Sequence, residues 1–130
     1  MNEIVEEWIQ KAEGDYRTAL REMAAKEGPN YDAVCFHAQQ CIEKLLKAAL
    51  IAQGVVPPKT HDLHPLCLML DPGFTPSAEA LPAEDLRYLT HAAVTFRYPG
   101  ESADQGEAAG AVEICARLRE KLLRIIENEK

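Results

Sequence analysis

The stretch from Asn30 to Gly54 constrains the fold most. Val34, Ala38, Cys41, Leu45, Ala48 and Ala52 recur there at helical spacing, and Ile42 and Ala49 widen the stripe. Asn30 suits the N-cap, Gly54 suits the C′ position, and Pro57-Pro58 prevents continuation, so the pattern predicts a helix to about Gln53. Ala38, Cys41, Ala48, Ala49 and Ala52 are small, which lets another helix approach closely. A helix with so wide an apolar face needs partners, and the rest of the chain offers them in the same form.

Residues 3–26 carry Ile4, Val5, Trp8, Ile9, Ala12, Tyr16, Ala19, Leu20 and Met23 at helical spacing. Asn2 suits the cap, and Glu3, Glu6 and Glu7 suit the positive end of the helix dipole. Gly14 weakens this helix by about 1 kcal/mol relative to alanine. "EGPN" at 27–30 is a turn. "KTHDLHPLCLMLDPG" predicts a short helix with Thr60 as N-cap and Asp71-Pro72-Gly73 as the stop. Residues 73–82 read as loop. Leu86, Leu89, Ala93 and Phe96 place a helix over 83–97, and "YPGE" at 98–101 breaks it. "SADQ" at 102–105 has the form of a capping box, with Ser102 at the cap and Gln105 three residues on. The last helix then reaches about Asn128, with Ala108, Val112, Cys115, Leu118, Leu122 and Ile125 on one side. No run has strand character. The expected fold is all-α, an up-and-down four-helix bundle with an additional short helix.

The 130 residues suit one domain over the whole chain. A formal net charge of −7 argues against sequence-independent binding of duplex DNA, which phosphate neutralisation drives. It leaves room for a small basic site. Residues 1–20 lack the pattern of a signal peptide, and the apolar runs fall short of the roughly 20 residues a membrane span needs. The four cysteines form no CxxC pair, so free, mostly buried thiols and a cytoplasmic location are expected.

"FHAQQCIEKLLKAALIAQG" followed by "KTHDLHPL" resembles the HEPN domain family. The family pattern, H-A-x-Q-x-x-E-K-x-L-K-A-x-L after an aromatic or small residue, is matched by Phe36, His37, Ala38, Gln40, Glu43, Lys44, Leu46, Lys47, Ala48 and Leu50. Thr60, His61, Asp62 and Leu63 match its T-H-x-L, and "FRYPGE" before the last helix is also similar. The resemblance extends over nearly the whole chain. It implies a four-helix core with a short extra helix, forming a homodimer. It also implies association with a minimal nucleotidyltransferase in modules of toxin–antitoxin type.

Many members of that family are metal-independent ribonucleases that join two R-x4-6-H motifs across a dimer. Arg97 stands where the motif's arginine would, but Tyr98 replaces the usual Asn or Asp. The histidine positions hold Ser102, Ala103 and Asp104, and no histidine follows His91. A histidine titrates near neutrality and serves as base or acid; serine by itself does not. Arg97 retains the ability to hold a phosphate. The resemblance therefore implies a non-catalytic protein that binds a nucleotidyltransferase partner, with a nucleotide or RNA site around Arg97 and Tyr98. Two alternatives stand beside it. One is a divergent ribonuclease toxin using Arg97 with Tyr98, His91 or another chain's histidine. The other is a purely structural assembly module. No cofactor is implied.

Other polar residues carry further readings. His37, Gln40 and Lys44, with His61, are the remaining candidates for contacting a nucleotide or RNA. The competing reading is polar residues that fix helix packing, with Lys44 and Lys47 in solvent. His61, Asp62 and His64 have metal-ligand chemistry, but no ExxH or CxxC accompanies them. Capping and packing, with His61 donating to a neighbouring helix, is the preferred reading, and no metal site is expected. Arg87 and His91 are i,i+4 but do not match the nuclease spacing. Arg117, Arg119, Lys121 and Arg124 alternate with Glu113, Glu120, Glu127 and Glu129, which reads as a solvated face with weak ion pairs.

Overall fold

In this computed structural model, residues 2–74 and 80–129 are described. Helix α1 spans Glu3–Met23 and is capped by Asn2, whose side-chain oxygen accepts from the N–H of Ile4 (2.7 Å) and Val5 (3.2 Å). Val5, Ala12 and Ala19, seven residues apart, form its buried line. The helix ends three residues before position 26. Ala24 is its C-cap, and Gly28 turns the chain with a φ of 56°. Glu22 accepts the Asn30 N–H at 2.6 Å, which ties the end of α1 to the next helix.

Helix α2, Tyr31–Ala52, begins with Asn30 accepting from the Ala33 N–H at 3.0 Å. Gly54 follows its end with a φ of 80°, as the C′ position requires. The short helix α3 covers Leu63–Leu68, a 3-10 turn covers Pro72–Phe74, α4 covers Ala83–Thr95 and α5 covers Gln105–Asn128. Helix α2 packs against all four other α-helices. That is why it is buried nearly all round, and why its small residues Ala38, Cys41, Ala48 and Ala49 have no exposure. The described residues contain no strand, and the four longer helices form the expected all-α bundle with α3 as the added short helix. None of the helices among the described residues is long and apolar enough to cross a membrane.

Three local expectations are corrected. The capping box of α5 is Asp104 with Glu107, not Ser102 with Gln105. Asp104 accepts the Glu107 N–H at 2.7 Å, and Glu107 accepts the Asp104 N–H at 3.0 Å. Residues 102 and 103 stay outside the helix because Asp32 of α2 accepts the Ala103 N–H at 2.7 Å. At α3 the N-cap is Asp62 rather than Thr60, and its side chain does not cap. Thr60 accepts the Asp62 N–H instead, and Thr90 of α4 accepts the Leu63 N–H, each at 3.2 Å. Helix α4 stops at Thr95, two residues before position 97. The loop expected over 73–82 lies partly outside the described residues, at 75–79.

The basic last helix is less solvated than its sequence implies. Arg119 donates two bonds of 2.8 Å to the Glu13 carboxylate and lies 4.6 Å from the centre of the Tyr16 ring, locking α5 to α1. Arg117 reaches Asp85 of α4 at 2.9 Å. All four cysteines are free thiols, and Cys35, Cys41 and Cys115 are buried.

Candidate functional site

A cleft of about 200 Å³ opens between α2, the segment before α3, and α4. Helix α2 gives it Phe36, Gln39 and Gln40. His61 also lines it, and Thr90, Val94 and Arg97 come from α4 and the residues just after it. The cleft is polar on the Gln and His side and apolar at Phe36 and Val94, which are both exposed.

One turn beyond Gln39 on α2 lies Glu43, a carboxylate only 4% exposed. One of its oxygens accepts from Gln39 Nε2 (3.1 Å), Gln40 Nε2 (3.3 Å) and His61 Nδ1 (2.9 Å). The other accepts from Lys47 Nζ at 3.1 Å. Burial pushes the Glu43 carboxyl up, but the bonds from Gln39, His61 and Lys47 and the charge of Lys47 outweigh it and hold the group below its ordinary range. Glu43 is therefore ionised at neutral pH and can only accept, so His61 carries a proton on Nδ1. The His61 side chain is 75% exposed, and Nε2 is the nitrogen left for the cleft. Gln39 also donates to the His61 carbonyl at 2.8 Å, and its own oxygen accepts from Gln40 at 2.9 Å. The glutamine pair thus fixes both the backbone of residue 61 and the carboxylate that orients its ring.

The expectation of Lys47 in solvent is corrected. It is 8% exposed, paired with Glu43, and its ammonium lies 5.9 Å from the centre of the Trp8 ring. Lys44 is also drawn in. It bonds one oxygen of Asp15 on α1, while His37 Nδ1 bonds the other at 2.7 Å. His37 and Lys44 are two turns apart on α2 and act together as a clamp on α1, away from the cleft.

The structure thus brings together Arg97, Gln40 and His61 and separates them from His37 and Lys44. Tyr98 is 60% exposed and does not line the cleft. His91 is exposed and bonded to Thr95, and neither it nor Arg87 faces the cleft. No group of three His, Cys, Asp or Glu side chains among the described residues is placed to hold a metal ion. Sequence reasoning missed Asp15 and Thr90 altogether. It met Glu43 only as a motif residue, because nothing local announces that His61, eighteen positions on, will meet it. Arg97 is exposed and has no ion-pair partner among the described residues, so its charge is open to a ligand. A guanidinium, an imidazole and an amide lining one cleft beside apolar surface can hold an anionic group attached to a flat or apolar one.

The HEPN domain family matches residues 5–126. The crystal structure of TT1696 from Thermus thermophilus is similar with a TM-score of 0.73 and 21% identity, covering 97% of this chain and 98% of that one. That of ST0689, an archaeal HEPN homologue, is similar with a TM-score of 0.71 and 25% identity, covering 94% of this chain and 97% of that one. No curated protein matches the chain significantly.

Proposed function

The chain belongs to the HEPN family, and from that premise we propose that it is a non-catalytic binding module whose cleft takes a nucleotide or the end of an RNA. The observation that carries the reading is Arg97, without an ion-pair partner among the described residues, in one cleft with His61 and Gln40, while positions 102–104 lack the histidine that the family's ribonucleases use. Phosphate contacts come from Arg97 and His61, and Phe36 and Val94 offer the surface for a base or ribose. The wider setting we propose is a cytoplasmic homodimer that binds a minimal nucleotidyltransferase in a module of toxin–antitoxin type. Support for a protein interface is the exposure of Phe36 (36%), Val94 (47%) and Tyr98 (60%) close in space or sequence to the cleft.

The test is an RNA cleavage assay in EDTA with wild type and Arg97→Ala at matched purity. Neither protein cleaves, and Arg97→Ala binds adenine nucleotides or short RNA about tenfold more weakly, the scale of one lost charge-assisted bond. Cleavage by wild type that vanishes in Arg97→Ala overturns the non-catalytic reading and makes the protein a rewired ribonuclease. Sedimentation of the wild-type chain at micromolar concentration reads the dimer directly.

A further inference from the structure

The cleft has a feature that nucleotide binding in general does not require. Its imidazole is oriented from behind by a buried, ionised carboxylate, and its guanidinium comes from a different segment. We propose that the site is selective for a terminal phosphate, the phosphomonoester end of a nucleotide or oligonucleotide, over an internal phosphodiester, and that Glu43 is the positioning residue for this selectivity. The proposal rests on the nucleotide reading above and narrows it.

Three observations carry it. First, the cleft is too small to enclose a whole nucleotide, whose ribose and base then lie at its mouth against Phe36 and Val94. At about 200 Å³ the cleft is below the range of roughly 300–1,000 Å³ usual for enclosed small-molecule sites. A phosphate fits inside with the sugar at the mouth. Second, the polar residues line the cleft from separate segments. His61 precedes α3, Arg97 follows α4 and Gln40 lies on α2. A terminal phosphate carries three unesterified oxygens for three such partners. A diester has two, and its chain must leave the site in both directions. Third, Glu43 commits Nδ1 of His61 as donor, so Nε2 either accepts a proton or donates one. A phosphomonoester, whose second ionisation lies near pH 6, matches either state by offering P–OH or P–O⁻. A diester has no proton to offer and matches only the imidazolium. The amide oxygen of Gln40 accepts from none of the described residues, so it can take the P–OH of a monoanion.

Calorimetric titration with adenosine, ApA, pApA and AMP, with inorganic phosphate as competitor, tests this on the wild-type chain. pApA and AMP bind at least about tenfold more tightly than ApA, and phosphate competes with them. In Glu43→Gln the ratio of pApA to ApA affinity collapses towards one. That is a change in selectivity which a merely structural role would not produce. His61→Gln, at a mostly exposed position, gives the same collapse and covers the case in which Glu43→Gln folds poorly. Equal affinity of ApA and pApA in wild type overturns the proposal and leaves the nucleotide reading standing. Failure of all four ligands to bind removes the nucleotide reading itself. Selectivity that persists in His61→Gln overturns the assigned role of the Glu43–His61 pair.

Discussion

Among the described residues Glu43 is the one buried carboxylate. A carboxylate 4% exposed is tolerated because four donors converge on it, one of them the buried Lys47. Glu43→Ala leaves the Lys47 ammonium without its carboxylate, and a loss of about 3 kcal/mol in urea unfolding is expected. Glu43→Leu with Lys47→Met removes both charges, and most of that loss returns, because an apolar pair of similar volume needs no solvation. The pH dependence follows from the direction of the Glu43 shift. Its folded-state value lies below the ordinary 4.5, so its contribution is fully present above 4.5 and is lost as pH falls through the folded value. Acid titration of wild type against Glu43→Gln, followed by circular dichroism, should show the shallower acid slope in the variant. An equal slope would mean that Glu43 is not held ionised by its neighbours.

At the scale of the elements, helix ends and close approaches decide more than propensity. Asp104 caps α5 reciprocally with Glu107, so Asp104→Ala should cost about 1 kcal/mol, whereas Ser102→Ala should change stability by only a few tenths. Thermal unfolding of the two variants discriminates between the two capping schemes. Gly110 of α5 is a second case. A Cβ there would lie 2.8 Å from the Tyr88 hydroxyl, which donates to the Glu107 carbonyl at 2.9 Å and so pins α4 to the first turn of α5. Alanine gains about 1 kcal/mol of helix propensity at this position and breaks that bond. Gly110→Ala is therefore expected to be about 1 kcal/mol more favourable in a Tyr88→Phe background than in wild type. Additive effects would show that the two helices do not meet there.

For the molecule as a whole, α2 is the post around which the other helices pack, and the reactivity of the thiols follows from that arrangement. Burial, with Asp32 adding to it, pushes Cys35 up to about 11. A bond with Cys115, and then burial, raises Cys41. Cys67 is also raised by burial, but it alone is partly open to solvent. Titration of the folded chain with a thiol reagent at neutral pH should modify Cys67 first, and the other three only at the rate of unfolding. Fast reaction of Cys41 or Cys115 would mean that α2 and α5 separate readily.

Much of this architecture was readable in the chain. Helical spacing, Asn2, Asn30, Gly54 and Pro57-Pro58 act within a few residues, so they set the number and order of the helices and most of their bounds. The motif running from Phe36 to Leu63 carries the family's pattern on its own. What the sequence left open depended on pairs far apart in it. Asp32 holds Ala103 and shifts the cap of α5 to Asp104, and Asp15 gathers His37 and Lys44 onto α1. Glu43 meets His61 only because α2 and the segment before α3 fold together, which turns one ring nitrogen towards Arg97's cleft. Local periodicity and capping are encoded in neighbours along the chain. The convergence of His61, Gln40 and Arg97 was decided by packing, because a charged group's partner is whichever group the fold brings within hydrogen-bonding distance.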